Sequence, residues 1–272
     1  MKLGINTVLE HETPQQWAEM LNQKGLQATC FPVDFRAQDH IIDAYVKAFH
    51  DYGITIAEVG IWNSPFSPNQ KQAKENQEIC LHQLELAEHV KALCCVNVSG
   101  STGDYWYGCY PENYSKDLYK RNVEFIQKLI DTVKPQNTFY TLEMMQWMVP
   151  DSTESYLEII RDINRSRFAV HFDPVNMVNS AKTAMFYTDY RDEAIKALGP
   201  YIKSCHLKDF DIKQELTVQI YETIPGTGRG ELRSYIEKIN ALDQDMPILI
   251  EHLNGWKEYD QAISYIKSLG LK

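Results

Sequence analysis

The chain has 272 residues, of which 44% are hydrophobic and 24% charged, a composition typical of globular proteins. Its formal net charge of −10 argues against a broad nucleic-acid interface, which needs clustered lysine and arginine side chains. Neither a signal-peptide core nor an apolar run long enough to span a membrane is found, and the six cysteines form no CxxC pair. We therefore expect a cytoplasmic protein with reduced thiols that binds neither nucleic acid nor membranes.

Eight runs of apolar and β-branched residues predict short strands, each followed by a longer segment with helical periodicity. The strands are expected near residues 2–7, 26–31, 54–60, 93–99, 138–143, 168–173, 202–207 and 247–251. Strict alternation of strand and helix indicates a parallel sheet, and eight units favour closure into a barrel. A (β/α)8 TIM barrel needs roughly 250 residues, so we expect one α/β domain covering residues 1–272.

The segment Gly226-Thr-Gly228-Arg-Gly230 superficially resembles a dinucleotide-binding fingerprint. Its spacing differs from that fingerprint, and it follows a proline-bearing loop instead of the first strand. We interpret it as a tight turn that ends a loop over residues 210–229 and precedes the seventh helix.

The last four predicted strands share one feature, a side chain able to bind a metal at the C-terminal end. These residues are Glu143, Asp173, His206 and Glu251. In a barrel the C-terminal ends of the strands form the catalytic face, and side chains alternate between the inside and the outside of the sheet. If all four residues point inward, they form a ring of three carboxylates and one imidazole.

A single acidic residue at a strand end is more often a helix cap or a salt-bridge partner than a ligand. Four consecutive strands that end this way are harder to assign to chance. Three facing carboxylates would repel one another and take up protons, a cost that a divalent cation removes. We therefore predict one divalent ion per chain, with Mn²⁺, Mg²⁺ or Co²⁺ suiting the donors best and Zn²⁺ as an alternative.

Several segments resemble the xylose-isomerase-like TIM-barrel superfamily and, within it, the sugar phosphate isomerase/epimerase group. They are Glu143, His171-Phe-Asp173-Pro-Val-Asn176, Cys205-His206-Leu-Lys208-Asp209 and Glu251-His252. The resemblance covers essentially the whole chain. It implies that Glu143, Asp173, His206 and Glu251 bind the metal, and that the two glutamates also act as the acid/base pair. It further implies a small sugar-like substrate and association into a homo-oligomer.

Two positions depart from the pattern of the ketose epimerases in this group. Many of those enzymes carry a histidine three residues after the strand-six aspartate, where this chain has Asn176. Several have a second glutamate after the strand-five ligand, where this chain has Met144, Met145, Trp147 and Met148. These departures weigh against epimerisation of a free ketose more than against the metal site. The Met/Trp-rich segment fits a more apolar pocket for a deoxygenated or aryl-bearing substrate, although ordinary packing explains it equally well.

The ligand set leaves the reaction open. When the carbonyl and hydroxyl oxygens of a ketose bind a metal, the neighbouring C–H becomes acidic and a carboxylate can accept its proton. Epimerisation, aldose–ketose isomerisation and loss of a β-hydroxyl all start this way. Lys208, Asn176 and Trp62 are candidate substrate contacts, with a solvated loop lysine, a helix cap and a rim tryptophan as the alternatives. His171, one layer below Asp173, is expected to support the site or to be a satisfied core histidine.

Three alternatives to an isomerase or epimerase remain. The runner-up is a metal-dependent dehydratase, a lyase, acting on a keto-sugar or cyclitol. An endonuclease-IV-like enzyme is disfavoured because that group uses additional histidines on the second and third strands, where Phe31 and Val59 belong to strands with none. A non-catalytic sugar-binding barrel is disfavoured because binding alone would not require two opposed glutamates.

Overall fold

The computed structural model describes residues 1–271, in which eight parallel strands close into a barrel surrounded by helices. The barrel strands are β1 (Lys2–Ile5), β2 (Ala28–Cys30), β3 (Thr55–Gly60), β4 (Cys94–Asn97), β5 (Phe139–Glu143), β6 (Phe168–Phe172), β7 (Ile202–Leu207) and β10 (Pro247–Ile250). Two further strands, β8 (Asp209–Lys213) and β9 (Gln219–Thr223), form a separate two-stranded sheet. The helices are α1 (Pro14–Gln23), α2 (Asp39–Asp51), α3 (Gln70–His89), α4 (Lys116–Val133), α5 (Thr153–Ile163), α6 (Ala181–Met185), α7 (Tyr187–Leu198), α8 (Leu232–Leu242) and α9 (Gly255–Ser268).

The barrel closes between its first and last strands. Going round the sheet, β1 pairs with β2 on one side and with β10 on the other, and β10 pairs with β7. The register of β1 against β10 runs from Lys2 opposite Pro247 to Ile5 opposite Ile250. Each of the eight predicted strands is present in its predicted place. The predicted (β/α)8 TIM barrel is therefore confirmed.

The main hydrophobic core lies between the sheet and the surrounding helices. Helix α1 contributes Trp17 and Leu21 to it, and α4 contributes Ile126 and Ile130, all of them buried. The spacing of these residues along each helix gives one apolar face that packs on the outward side chains of the strands. None of the helices in residues 1–271 is long and apolar enough to cross a membrane.

The expectation of a plain loop over residues 210–229 is wrong. Strands β8 and β9 form an antiparallel hairpin there, with Asp209 opposite Thr223 and Lys213 opposite Gln219. The buried Phe210 belongs to a small apolar cluster with residues of the 175–187 segment, and Ile212 packs against the same cluster. The apolar side of this hairpin is only three residues long, so its period-two pattern is too short to stand out in the sequence. The glycine segment after the hairpin is a turn, as expected.

Candidate metal centre and active site

The four predicted ligands lie at the C-terminal ends of β5, β6, β7 and β10. Glu143 is the last residue of β5, Asp173 follows β6, His206 is the penultimate residue of β7, and Glu251 follows β10. All four side chains are buried, and Asp173 and His206 have no exposed surface. The alternation of side chains along each strand thus brings the four residues together inside the barrel mouth.

The four side chains converge on a single small volume. The His206 Nδ1 atom lies 3.0 Å from Glu143 Oε1, 3.1 Å from Glu251 Oε2 and 3.8 Å from Asp173 Oδ2. One candidate ligand atom from each residue lies within 4.8 Å of the other three. Octahedral coordination with bonds of about 2.1 Å places neighbouring ligand atoms roughly 3 Å apart, which is close to these separations.

Lys208 and Asn176 are held against this ring of side chains. The Lys208 ammonium lies 2.9 Å from Asp173 Oδ2 and 2.9 Å from Glu251 Oε2. Asn176 bridges the lysine and the ring, since its Oδ1 atom accepts from Lys208 at 3.2 Å and its Nδ2 atom donates to Glu143 Oε1 at 3.2 Å. Lys208 is therefore a buried partner of the carboxylates, not a solvated loop lysine.

The surroundings separate the acidities of the two glutamates. Burial, reinforced by the negative charge of Glu251, raises the pKa of Glu143 to about 7. Burial would also raise the pKa of Glu251, but the positive charges of His206 and Lys208 more than offset it and hold this pKa well below its usual range. At neutral pH the cation-free protein therefore carries one ionised glutamate and one that is about half protonated, a pairing suited to acid/base work.

A buried carboxylate that was not among the predicted site residues lies directly below the ring. Glu58 of β3 has no exposed surface. Its Oε1 atom is 3.4 Å from His206 Nε2, and its Oε2 atom is 3.5 Å from His171 Nδ1 and accepts from Ser204 Oγ at 3.4 Å. Glu58 therefore faces two histidines inside the barrel, one of which belongs to the predicted metal set.

A register irregularity explains the inward position of Glu58. Strand β2 pairs Thr29 with Ile56 but Cys30 with Glu58, so that Ala57 has no partner. Ala57 packs inside the barrel against Leu249, and the extra residue lets the next side chain point inward as well. Strict alternation would have placed Glu58 on the opposite face.

Glu58 bears on which ring nitrogen of His206 is free for a cation. A cation bound by the four converging side chains requires the lone pair of His206 Nδ1. The imidazole proton must therefore sit on Nε2, where Glu58 is placed to accept it. The Asn6 amide nitrogen is nearer to Nε2, at 3.0 Å, but it donates to Glu251 Oε1 at 2.9 Å and cannot accept a proton, so Glu58 is the acceptor available to Nε2. The layer therefore has the carboxylate–histidine geometry that orients histidine ligands in metal sites.

His171 lies in the same lower layer as Glu58, as expected from its position two residues before Asp173. Both of its ring nitrogens are buried without a hydrogen-bond partner. Burial, followed by the nearby charge of His206, holds its pKa well below the usual range, so the ring is neutral. Its ring packs edge-on against that of His206, with centroids 4.1 Å apart. His171 thus restricts the orientation of the neighbouring imidazole by contact.

The residues present fit a divalent cation. Asp173 Oδ2 and Glu251 Oε2 are buried and accept no well-aligned hydrogen bond, although both face the Lys208 ammonium. Among the described residues of this site, the buried carboxylates are Glu58, Glu143, Asp173 and Glu251, against the single lysine and the single charged histidine His206. Free lone pairs, an excess of negative charge and an available imidazole nitrogen together form a suitable donor set.

A cavity of about 520 Å³ opens above the ring. Glu143 and Glu251 line it, whereas Asp173 and His206 lie behind them. In the barrel β6 and β7 separate β5 from β10, so the two glutamates reach the cavity from opposite sides of the ring. Lys208, Asn176 and Trp62, the three predicted substrate contacts, also line this cavity. Each glutamate can therefore touch a bound molecule from its own side.

A carboxylate and an imidazole at the cavity were also missed. Glu222 of the β8–β9 hairpin lies 3.4 Å from the Lys208 ammonium and 2.8 Å from His252 Nδ1. This contact is the largest cause of the raised pKa of His252. Both residues line the cavity. The Glu251-His252 dipeptide was part of the resemblance, but nothing in the sequence places a hairpin residue next to it.

Comparisons with known proteins agree with this architecture. The family model described as "Xylose isomerase-like TIM barrel" matches residues 15–269. A search of curated proteins finds no match. Among solved structures, D-psicose 3-epimerase from Clostridium cellulolyticum H10, determined with D-tagatose, has a TM-score of 0.71 at 15% identity, covering 99% of this chain and 98% of that one.

Two other solved structures extend the likeness. The "probable 3-DHS dehydratase" of petrobactin synthesis from Bacillus anthracis has a TM-score of 0.73 at 13% identity, covering 98% of this chain and 99% of that one. A xylose isomerase-like TIM barrel protein from Mycobacterium smegmatis in complex with magnesium has a TM-score of 0.68 at 14% identity, covering 94% of this chain and 87% of that one. At such identities a structural likeness establishes the fold alone. The family model, which matches most of the chain, establishes membership: the chain belongs to the xylose isomerase-like TIM barrel family.

Proposed function

We propose that the protein is a divalent-metal-dependent isomerase or epimerase that moves protons on a ketose or related sugar. The observation that carries this proposal is the meeting of Glu143, Asp173, His206 and Glu251 within 4.8 Å at the floor of the cavity, with only the two glutamates facing it. In this proposal all four residues are metal ligands, and Glu143 and Glu251 are also catalytic. The sugar epimerases among the structural neighbours support the substrate class.

The two glutamates have complementary roles in this proposal. A divalent cation held by Glu143, Asp173, His206 and Glu251 would polarise the carbonyl of a keto-sugar and so make the adjacent C–H acidic. Glu251 accepts that proton, and Glu143, the weaker acid of the two in the cation-free protein, supplies one from the opposite side. Delivery to the other face of the same carbon inverts it. Delivery to the neighbouring carbon, with a proton passing from the hydroxyl of the first carbon to the former carbonyl oxygen, isomerises the sugar.

Lys208 and Asn176 are placed to hold the substrate oxygens. Lys208 provides the one ammonium group among the described residues that line the cavity, and Asn176 provides an amide beside it. We assign Lys208 to the oxygen that gains negative charge when the proton leaves, and Asn176 to a neighbouring hydroxyl. Trp62, at the end of β3, is assigned to the face of the sugar.

A dehydratase is the second candidate. The dehydratase among the structural neighbours has the same fold, and Glu143 lines the cavity where it could give a proton to a departing β-hydroxyl as readily as to carbon. The remaining parts of the proposal are Mn²⁺, Mg²⁺ or Co²⁺ as the cation, a cytoplasmic location and a homo-oligomeric assembly. The magnesium complex among the neighbours supports a hard divalent ion.

The proposal is tested by following deuterium incorporation from D₂O into a panel of ketoses and keto-cyclitols, after loading the protein with each metal. We expect about one metal per chain and deuterium at the carbon next to the carbonyl. Glu143→Gln and Glu251→Gln should each lower inversion by at least about 100-fold, the usual worth of one acid/base group. Exchange should persist only in the epimer whose C–H faces the remaining glutamate.

Glu75→Gln, the same chemical change on the exposed surface of α3, serves as the control and should leave both rates unchanged. An unsaturated carbonyl product without inversion would favour the dehydratase. If the reconstituted protein binds no metal, the proposal fails and the four strand-end residues have structural roles only.

A further inference from the structure

The reacting site is one part of a larger cavity, and the rest of that cavity carries information about the substrate. Its volume of about 520 Å³ would hold roughly 17 groups the size of a water molecule in the liquid. A hexose ring with its substituents has about twelve non-hydrogen atoms, each of them packed more densely than water. The cavity is therefore larger than one sugar ring requires.

The upper wall of the cavity is aromatic. Trp62, Trp106, Tyr107 and Trp147 are half-buried there, so that part of each ring faces the cavity. Trp147 Nε1 donates to the Tyr107 carbonyl at 2.7 Å, and the Trp106 and Tyr107 rings pack at 4.6 Å. These contacts join the two loops that follow β4 and β5. The rings are thus held in place as a wall against which a flat apolar face can stack.

Trp62 has its own support. Its indole lies against Gly60, where an added Cβ would come within 2.2 Å of Trp62 Nε1. The absence of a side chain at that position lets the indole lie across the end of β3. On its other side Trp62, together with Asn6, also lines a neighbouring cavity of about 290 Å³. A second cavity therefore lies beside Trp62.

The charged side chains around the cavity do not favour a phosphate. The charged side chains that line it are Glu143, Glu222, Glu251, Lys208 and His252, with no arginine among the described lining residues. Lys208 already contacts three carboxylates, and His252 contacts Glu222. Beyond the groups assigned to the metal and to the reacting oxygen, the cavity therefore offers a phosphate no unpaired cationic side chain.

The backbone site that often binds phosphate in this fold is also occupied. In TIM barrels a phosphate commonly binds backbone N–H groups of the loops after the last two barrel strands. Here the N–H groups of Gly226, Gly228 and Gly230, in the loop after β7, all donate to the buried Asp209 carboxylate at 2.8–2.9 Å. An internal anion takes the place that a substrate phosphate would need.

From this combination we propose that the substrate is an uncharged two-ring molecule, a keto-sugar joined through a glycosidic bond to a second ring. The reacting ring lies over Glu143 and Glu251, and the second ring, a sugar or an aryl group, stacks against Trp106 and Trp147. This inference rests on the proposed function for the position of the reacting ring. A glycosidic bond keeps the first ring closed, so the chemistry is then proton transfer beside a ring carbonyl and not interconversion of open-chain aldose and ketose.

The test measures binding, by isothermal titration calorimetry on the magnesium-loaded protein, so that it does not depend on turnover. The ligands are methyl β-glucoside, phenyl β-glucoside, a β-linked glucose disaccharide, glucose and glucose 6-phosphate. We expect the phenyl glucoside or the disaccharide to bind at least tenfold more tightly than the methyl glucoside, and glucose 6-phosphate to bind more weakly than glucose. Whichever of the phenyl glucoside and the disaccharide binds more tightly identifies the second ring as aryl or sugar.

Variants locate the second ring. Trp106→Ala and Trp147→Ala should each reduce the tenfold preference to near unity without weakening methyl glucoside binding. Trp147→Phe, which keeps a ring but loses the bond to the Tyr107 carbonyl, should retain part of it. Tyr201→Ala, an exposed aromatic residue just before β7 at the other end of the barrel, should retain all of it.

Two results would overturn the inference. One is equal binding of the methyl glucoside and of the two ligands with a second ring, and the other is tighter binding of glucose 6-phosphate than of glucose. Deuterium exchange on free ketoses combined with equal binding would leave the proposed function standing and remove only the two-ring substrate. A clear preference for ligands with a second ring, without deuterium exchange on any substrate, would keep the two-ring ligand and remove the proposed function.

Discussion

At the scale of single residues, the predicted metal ligands depend on a side chain in the layer below them. Glu58 faces His206 Nε2 at 3.4 Å from a fully buried position. Glu58→Gln keeps the size of the side chain but removes its charge, so it should weaken the hold on the His206 proton. We expect about a 10- to 100-fold loss of metal affinity, the usual effect of such an outer partner. Calorimetric titration with Mn²⁺ measures it directly.

Ser204→Ala is the matched control for this change. It removes only the long hydrogen bond from Ser204 Oγ to the same carboxylate and should change metal affinity by less than about threefold. The melting temperature of the cation-free proteins shows whether either variant is simply unstable. Unchanged metal affinity in Glu58→Gln, together with a lower melting temperature, would reduce Glu58 to a structural residue.

The same residues show how far sequence reasoning reaches. Glu143, Asp173, His206 and Glu251 could be predicted because each ends a strongly apolar strand, and alternation then fixes the face on which each lies. Glu58 could not, because its inward position depends on the register irregularity at Ala57. A one-residue shift reverses every side chain beyond it, and no local pattern in β3 announces the shift.

At the scale of elements, the β8–β9 hairpin is the insertion that completes the site. It carries Glu222 to within 3.4 Å of Lys208, and its base is fixed by Asp209, whose carboxylate accepts three backbone N–H groups from the glycine segment. At Gly228 an added Cβ would meet the Phe210 carbonyl oxygen at 2.3 Å. This close approach is what the glycine-rich sequence provides.

Removing the Asp209 carboxylate should therefore loosen the hairpin. We expect Asp209→Ala to lower the free energy of unfolding by at least about 2 kcal/mol, because three backbone N–H groups, of which that of Gly230 is buried, lose their carboxylate acceptor. Urea denaturation measures this loss. Asp211→Asn, two residues further along β8, weakens a partly exposed pair with Arg229, keeps an amide oxygen to accept from the Ile212 N–H, and should cost less than about 1 kcal/mol. Equal losses in the two variants would contradict the assigned role of Asp209.

At the scale of the whole molecule, the barrel itself was the most predictable feature. Eight alternating strand–helix units allow few arrangements, and right-handed crossovers reduce them to a closed or an open parallel sheet. The contacts between distant segments were not accessible in the same way. Asn6 at the start of the chain reaches Glu251 near its end, 245 residues away, and only closure of β1 against β10 brings them together.

Because the site joins strands from both ends of the chain, a bound cation should stabilise the whole fold. At a metal concentration 100 times the dissociation constant, binding to the folded state adds about 2.7 kcal/mol. For a chain of this size, that corresponds to a rise in melting temperature of roughly 5 °C or more. The rise should be absent in Asp173→Asn, which keeps the shape of a ligand but removes its charge.

The size of this rise should also depend on pH, and the direction follows from the protons that the cation displaces. Burial raises the pKa of Glu143 to about 7, and although burial alone would lower the pKa of His206, the charges of Glu251, Glu58 and Glu143 raise it well above its usual value. Both groups are protonated below pH 7, whereas only His206 is protonated just above it. The metal-induced rise in melting temperature should therefore become larger as pH increases. It should grow more steeply below pH 7, where the cation displaces two protons, than above pH 7, where it displaces one. Each displaced proton is worth about 1.4 kcal/mol per pH unit.

Melting curves with and without Mg²⁺ between pH 5.5 and 8.5 test this prediction. In the wild-type protein, the plot of the Mg²⁺-induced rise in melting temperature against pH should change slope near pH 7, because the cation displaces two protons below that pH and one above it. Glu143→Gln cannot titrate, so its rise should follow a single slope through the whole range, smaller in size because a charged ligand is lost. A break near pH 7 that persists in Glu143→Gln would assign that proton to another group and would remove Glu143 from its role as the acid of the pair.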